Sequence, residues 1–336
     1  MKKFLIMRGL LCLSVGAYSA NLNCFAATAD HLETIPSAKS ASIQPVAEGL
    51  DCSLRKDYLE RHLQADQLGV QQLLARLVKQ NFQAIYIGTS HNAWDTESVA
   101  RILHTLHHTD GSFNCFALEA DRRCQEGIDS IVSGKKTFEE AAQTASKICG
   151  YSYVPSQKAL FDAARNNGIR VFAVDDLSVG FDEADGLPTQ SVATTMPRRN
   201  EAMAQAVATL LHKGTCRKIL GLSGGAHVIK GFYDEKEPEL WGSIPDRLRL
   251  LGISVAPVNL ISRVSSGKGS PLAPEGCSWN LWDKIPAGSA PLGFIPRSPA
   301  PPVRYPLYPY GNPATLPYDL KNPINWDEYK GVVVVP

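Results

Sequence analysis

Neither sign of charge is in surplus in this chain. Its 336 residues carry 34 Lys and Arg against 33 Asp and Glu, a formal net charge of +1. Without a basic surplus nothing is present to neutralise a phosphate backbone, so nucleic-acid binding has no electrostatic drive. Long hydrophobic runs are scarce as well. Gly9 to Ala20 is apolar, but it falls well short of the roughly 20 residues a membrane span needs. No later segment is long and apolar enough either, so no stable membrane span is expected. Cysteines at CxxC spacing are absent, which removes the usual structural zinc site. What is present is ordinary for a packed protein: 44% hydrophobic and 20% charged residues argue against disorder of the whole chain.

The start has the layout of a secretory signal peptide. Lys2, Lys3 and Arg8 precede the short apolar run, and Cys24-Phe25-Ala26-Ala27 offers small residues for cleavage. Residues 1–27 are expected to leave, and the destination is periplasmic or secreted. The mature chain then holds 31 basic and 33 acidic residues and six cysteines: Cys52, Cys115, Cys124, Cys149, Cys216 and Cys277. An even set in an oxidising compartment implies disulfides. Six cysteines allow about 15 pairings; Cys124 with Cys149 is the first choice, because both flank one short insertion.

Residues 28–50 read as a linker. From residue 51 the pattern turns periodic. Leu68, Val70, Leu73, Leu74, Leu77 and Val78 recur at helical spacing, and Asn81 closes that helix. Short β-branched or aromatic runs follow at Ala84–Ile87, Phe113–Leu118, Arg170–Val174, Lys218–Leu220 and Ile253–Leu260. Amphipathic helices lie between them, carried by Val99, Ile102, Leu103 and Leu106, by Ala159, Leu160, Ala163 and Ala164, and by Met203, Val207, Leu210 and Leu211. Alternation of this kind predicts an α/β fold, a mostly parallel sheet with helices on both faces, over residues 51–261. A Cys-containing insertion and a Pro-rich C-terminal arm are expected beside it. Twelve of the 22 prolines lie between Pro286 and Pro336, so residues 262–330 read as an extended arm, and 331–336 as a closing strand.

In parallel sheets ligands sit beyond the carboxyl ends of the strands. Those ends carry His91, Glu119, and Asp175 or Asp176, with His227 following Gly224-Gly225-Ala226. Two imidazoles and a carboxylate suit metal ligation or proton transfer. Gly88 is read as permitting a sharp turn, and Gly224 and Gly225 as permitting close approach to a ligand. Arg198, Arg199 and Asn200 are placed just before a helix starting near Glu201, where Arg199 suits an oxyanion or carboxylate. Gly221-Leu222-Ser223-Gly224-Gly225 matches the G-x-S-x-G elbow. A Ser–acid–His order cannot be completed, because no histidine follows His227. His104, His107 and His108 share one helix and read as a solvated face, with a transition-metal or haem contact as the lesser reading.

Taken in order, Gly88-Thr89-Ser90-His91, Leu118-Glu119, Arg199-Asn200-Glu201-Ala202-Met203-Ala204 and Gly224-Gly225-Ala226-His227 resemble the motifs of the Tiki/TraB/ChaN-like/erythromycin esterase superfamily, from about Ala84 to Leu260. Asp327-Glu328-Tyr329 before Val332–Val335 resembles its closing strand. The resemblance implies an open site made by the two Gly-x-x-His segments and the glutamate. It implies no single activity: Tiki proteins are metal-dependent peptidases, erythromycin esterases use a histidine as general base, and ChaN-like proteins bind haem. Carried over, His91 is general base or metal ligand, Glu119 orients it or joins it, His227 is second ligand or acid, and Arg199 is a clamp. Thr89 stands where ChaN-like proteins have glutamate, and Arg122–Gly150 has no counterpart.

The expectation is an extracytoplasmic hydrolase of peptide or ester bonds acting on a small molecule or peptide through a His91, Glu119 and His227 site, either metal-free with His91 as base or with a divalent transition metal held by those three residues. The alternatives are a haem- or iron-compound-binding protein and a secreted effector-like protein. Mass spectrometry of the exported chain is predicted to find its first residue at Ala27 or Thr28; an uncleaved amino terminus would overturn the export reading.

Overall fold

The computed structural model describes residues 68–89, 93–146, 148–149, 155–178, 192–228, 242–262, 285, 290–296 and 329–335, all within the unit running from Pro45 to Pro336. The signal, the linker, His91 and most of the proline-rich arm lie outside them.

The chain enters through a two-residue strand β1 (Leu68–Gly69) and helix α1 (Val70–Lys79), which buries Leu73, Leu74 and Leu77. Asn81 ends this turn with φ +56°, a left-handed conformation that Asn tolerates better than most residues. Then come β2 (Ala84–Thr89), α2 (Ala93–Thr109) and β3 (Phe113–Asp121). A 3-10 turn leads to α3 (Gln125–Val132), α4 (Phe138–Thr144) and α5 (Lys158–Asn166). After β4 (Arg170–Asp175) the chain forms α6 (Val192–His212), β5 (Lys218–Gly224), α7 (Gly225–Val228), α8 (Ile244–Leu250) and β6 (Val255–Ser262). Two strands close it, β7 (Leu292–Phe294) and β8 (Gly331–Val335).

The described strands form one sheet in the order β1-β7-β8-β6-β2-β5-β3-β4. Pairing is parallel from β8 to β4 and antiparallel only where β7 meets β8 and β1. Alternation along the strands separates two cores. Ile85, Ile87, Phe116, Leu118, Leu220 and Leu222 pack with α1 to α5. Ala84, Tyr86, Cys115, Ala117 and Ile219 pack with Met203, Val207, Ile244 and Leu248 of α6 and α8. Helices therefore cover both faces, and the core strands read as continuous apolar runs because no face meets water.

Several sequence-based expectations need correction. The fourth run, Lys218–Leu220, continues through Gly221 to Gly224, because Leu222 and Ser223 are enclosed between neighbouring strands. Gly88 makes no turn. It lies inside β2, where a Cβ would come within 3.1 Å of Gly225 Cα and of Val228 Cβ, so its bareness lets α7 settle against the strand. Helix α6 starts at Val192 and carries Pro197 in its interior; packing against the sheet outweighs the lost backbone bond, and Arg199 and Asn200 fall within the helix. Leu292–Phe294 pairs with β8 inside the segment read as an arm, a strand too short to register as a pattern.

Two disulfides join described cysteines. Cys124–Cys149 is the pairing expected from sequence. Cys115–Cys216, 101 residues apart, ties the start of β3 to the turn before β5, a long loop closure of the kind that restricts the unfolded chain most. No helix among the described residues is long and apolar enough to cross a membrane.

Strand β4 is an edge, and an open edge exposes unpaired backbone groups. Gln125 covers it. Its Nε2 donates to Val171 O and its Oε1 accepts from Ala173 N, both at 2.8 Å, so one carboxamide replaces a missing strand. Gln125→Ala is predicted to cost about 1–3 kcal/mol by leaving both groups bare, measured by urea unfolding. No loss of stability would contradict this role.

Candidate functional site

The carboxyl ends of β2, β5, β3 and β4 lie side by side, and the polar residues of the sequence motifs meet there. The strands diverge at this edge for a local reason. The β3–β5 register ends at Leu118↔Leu222, while β3 and β4 go from Leu118↔Ala173 to Asp121↔Asp175, an extra residue on β3. A bulge of this kind re-aims side chains, and Glu119 sits within it.

Glu119 then meets three partners. Its Oε2 accepts the Gly224 backbone N–H at 2.6 Å, continuing with a side chain the ladder that β3 no longer supplies. Its Oε1 accepts from Arg199 Nη2 at 2.7 Å and lies 3.2 Å from His227 Nε2. Arg199, from α6, also spans both oxygens of Asp175 through Nε and Nη2. One guanidinium thus ties the ends of β3 and β4. Burial disfavours its charge, but the carboxylates of Glu119 and Asp175 outweigh burial and push its pKa above the ordinary arginine value. Arg199, expected to clamp a ligand, clamps two carboxylates of its own chain.

His227 stands on α7, immediately beyond β5. Its Nδ1 hydrogen-bonds Asn200 Oδ1, and Asn200 Nδ2 donates to Gly242 O at 3.1 Å. That second bond orients the amide, so Oδ1 is the acceptor and His227 Nδ1 carries the proton. With Nδ1 committed, Nε2 is the nitrogen that meets Glu119. Gly242 O also accepts from Arg247 Nε at 3.3 Å, and Arg247 pairs with Glu201, which anchors this arrangement to α6 and α8. His227 is only 4% exposed, whereas the side chains of Glu119 and Arg199 are each 12% exposed. Water reaches the pair from the carboxylate side.

Beneath lies Tyr86, fully buried. Its ring fills the space over Gly221, where a Cβ would come within 2.3 Å of it. This explains the first glycine of the Gly-x-Ser-x-Gly segment without a nucleophile elbow. Ser223 is itself 0% exposed inside β5, so its hydroxyl is enclosed rather than raised at a turn. Burial raises the Tyr86 phenol far above its ordinary pKa, and the charges of Glu119 and Asp175 add to this. The hydroxyl lies near Ser223, yet neither oxygen makes a well-formed hydrogen bond.

Of the expected site residues, Glu119, Arg199 and His227 come together and His91 lies outside the described residues. Asn200 and Asp175 complete the set. Asn200, already part of the Arg199–Ala204 motif, also heads the buried stripe Met203, Ala204, Val207 and Leu211, a polar residue at a core position. The described donors fit a metal poorly. Both His227 nitrogens already have protein partners, Asn200 and Glu119, so a cation or haem iron would have to displace one of them, and the Arg199 charge stands beside the carboxylate. Among the described residues no three His, Cys, Asp or Glu side chains converge to hold a metal ion. His104 and His108 are exposed on α2, as the sequence predicts.

No protein family profile and no curated protein matches the chain. Solved structures share parts of the fold. A protein from Bacillus cereus is 11% identical with a TM-score of 0.45, over 80% of this chain and 92% of its own. The type III effector HopBA1 is 14% identical with a TM-score of 0.39, over 60% of this chain and 86% of its own. RRSP, a MARTX toxin effector domain from Vibrio vulnificus, is 19% identical with a TM-score of 0.39, over 62% of this chain but 38% of its own. At these values the likeness reaches neither activity nor partner.

Arg199→Ala leaves Glu119 and Asp175 facing each other without their cation. It is predicted to cost about 3–5 kcal/mol in urea unfolding, the range for one lost partner of a buried pair. Arg199→Lys should recover only part, because a single ammonium cannot span both carboxylates. Full stability in the alanine variant would contradict the bridging role.

Proposed function

We propose that this chain is an extracytoplasmic hydrolase of ester or peptide bonds that works without a metal ion. The observation that supports the reading best is the Asn200–His227–Glu119 series, in which one imidazole is fixed at Nδ1 and presents Nε2 to a carboxylate. An oriented histidine whose second nitrogen meets an acid can carry a proton to and from a reacting group.

In this reading a water molecule attacks the carbonyl carbon. The proton it loses passes to His91, two residues past the end of β2, as the superfamily resemblance implies. In this reading His227 is an imidazolium: it keeps the Nδ1 proton held by Asn200 and gives its Nε2 proton to the departing oxygen or nitrogen as the C–O or C–N bond breaks. The proton held by His91 then returns to His227 through solvent, which restores both groups. Glu119 steadies the protonated ring, and Arg199 keeps Glu119 ionised and in place. Asn200 prevents the ring from turning its other nitrogen toward the substrate. The two disulfides support an oxidising compartment.

The purified mature chain is predicted to cleave a 4-nitrophenyl ester or a quenched-fluorescence peptide. His227→Ala should lower kcat by about 10²–10⁴, the range for general acid–base catalysis, with the circular dichroism spectrum kept. A chelator should leave turnover unchanged. Full activity in His227→Ala would sink the assignment, and activity lost to chelation and restored by a divalent cation would sink its metal-free form.

A further inference from the structure

A second group of titratable side chains lies away from this edge, on α2. His104 and His108 are four residues apart, one helical turn, and their ring centroids are 4.2 Å apart. Both are exposed. The same i, i+4 spacing lets two histidines of one helix share a zinc ion in the H-E-x-x-H arrangement; here the intervening residues bring no carboxylate.

Neighbouring bonds fix which nitrogen is offered. Asn167 Nδ2 donates to Ala163 O at 2.6 Å, so its Oδ1 is left as acceptor. Oδ1 lies 3.1 Å from His104 Nδ1, and that nitrogen must therefore carry the proton. The lone pair of His104 is then at Nε2. Metal-ligating histidines are held in this way, the second ring nitrogen donating to a protein oxygen that sets tautomer and angle. Position adds to it. The pair stands in the last turns of α2, where the helix dipole favours positive charge. The nearest basic residue on that face, Arg101, is itself exposed and 3.8 Å from Glu97.

We propose that His104 and His108 form a two-imidazole surface site for a divalent transition-metal cation such as Zn²⁺, Ni²⁺ or Cu²⁺, with water in the remaining positions. Imidazole suits all three, and the order of affinity should place Cu²⁺ first. The site is separate from the Glu119–His227 edge and does not depend on the hydrolase reading.

Isothermal titration of the full chain with NiCl₂ and with CuCl₂ tests it. One ion should bind per chain, with Cu²⁺ tighter than Ni²⁺. His104→Ala and His108→Ala should each weaken binding at least tenfold and leave the thermal unfolding midpoint unchanged, since both residues are exposed. His212→Ala, on α6, should bind as the parent does. Asn167→Ala should weaken binding about 10–100-fold, the usual effect of losing a residue that orients a ligand. Binding unchanged in both His104→Ala and His108→Ala, or no binding by the parent, would overturn the proposal.

Discussion

One carboxylate sets the terms for the upper edge of this sheet. Glu119 stands where β3 bulges away from β5, and its two oxygens receive a backbone N–H from β5, a guanidinium from α6 and an imidazole from α7. These groups come from three separate stretches of the chain: β3, α6 and the β5–α7 junction. A charge removed from water is tolerated only when paired and hydrogen-bonded, so the strand ends must stay in this relation for Glu119 to remain ionised. Asp175 follows the same rule through the same arginine. The edge is rigid because four charged or polar groups each need the others.

Small residues make that closeness possible. Gly88 lets α7 lie against β2, which brings His227 over the edge. Gly221 leaves room for the Tyr86 ring, which fills the floor below. Both glycines act through packing, since neither has a positive φ. Their neighbours then determine which atoms point at Glu119. Asn200 has no ionisable group, yet it decides the tautomer of His227, because its own amide is already committed to Gly242.

Much of this was legible beforehand. The parallel core, its helices and the closing strand follow from short apolar runs alternating with helical stripes, because each period reports the burial that produces it. The strand-end rule brought Glu119, Asp175 and His227 to one rim without any coordinates. Other features were not legible, for physical reasons. A three-residue strand such as Leu292–Phe294 has no period to detect, and its antiparallel pairing depends on β8. The start of α6 at Val192 is not legible, because the helix runs through Pro197, sustained there by packing onto the sheet. The bulge at Glu119 is a property of two strands in register and leaves no mark on either alone. From sequence Arg199 is expected to clamp an oxyanion or carboxylate of a ligand; in the fold it holds Glu119 and Asp175 of the protein itself.

The chemistry inferred for this edge depends on where one proton sits. Nitrogen-15 NMR of the His227 imidazole in the intact, isotope-labelled protein reports this directly. A protonated Nδ1 whose hydrogen-bond shift disappears in Asn200→Ala is the predicted result. A bare Nδ1, with the ring in the opposite tautomer or free to exchange between the two, would contradict the account.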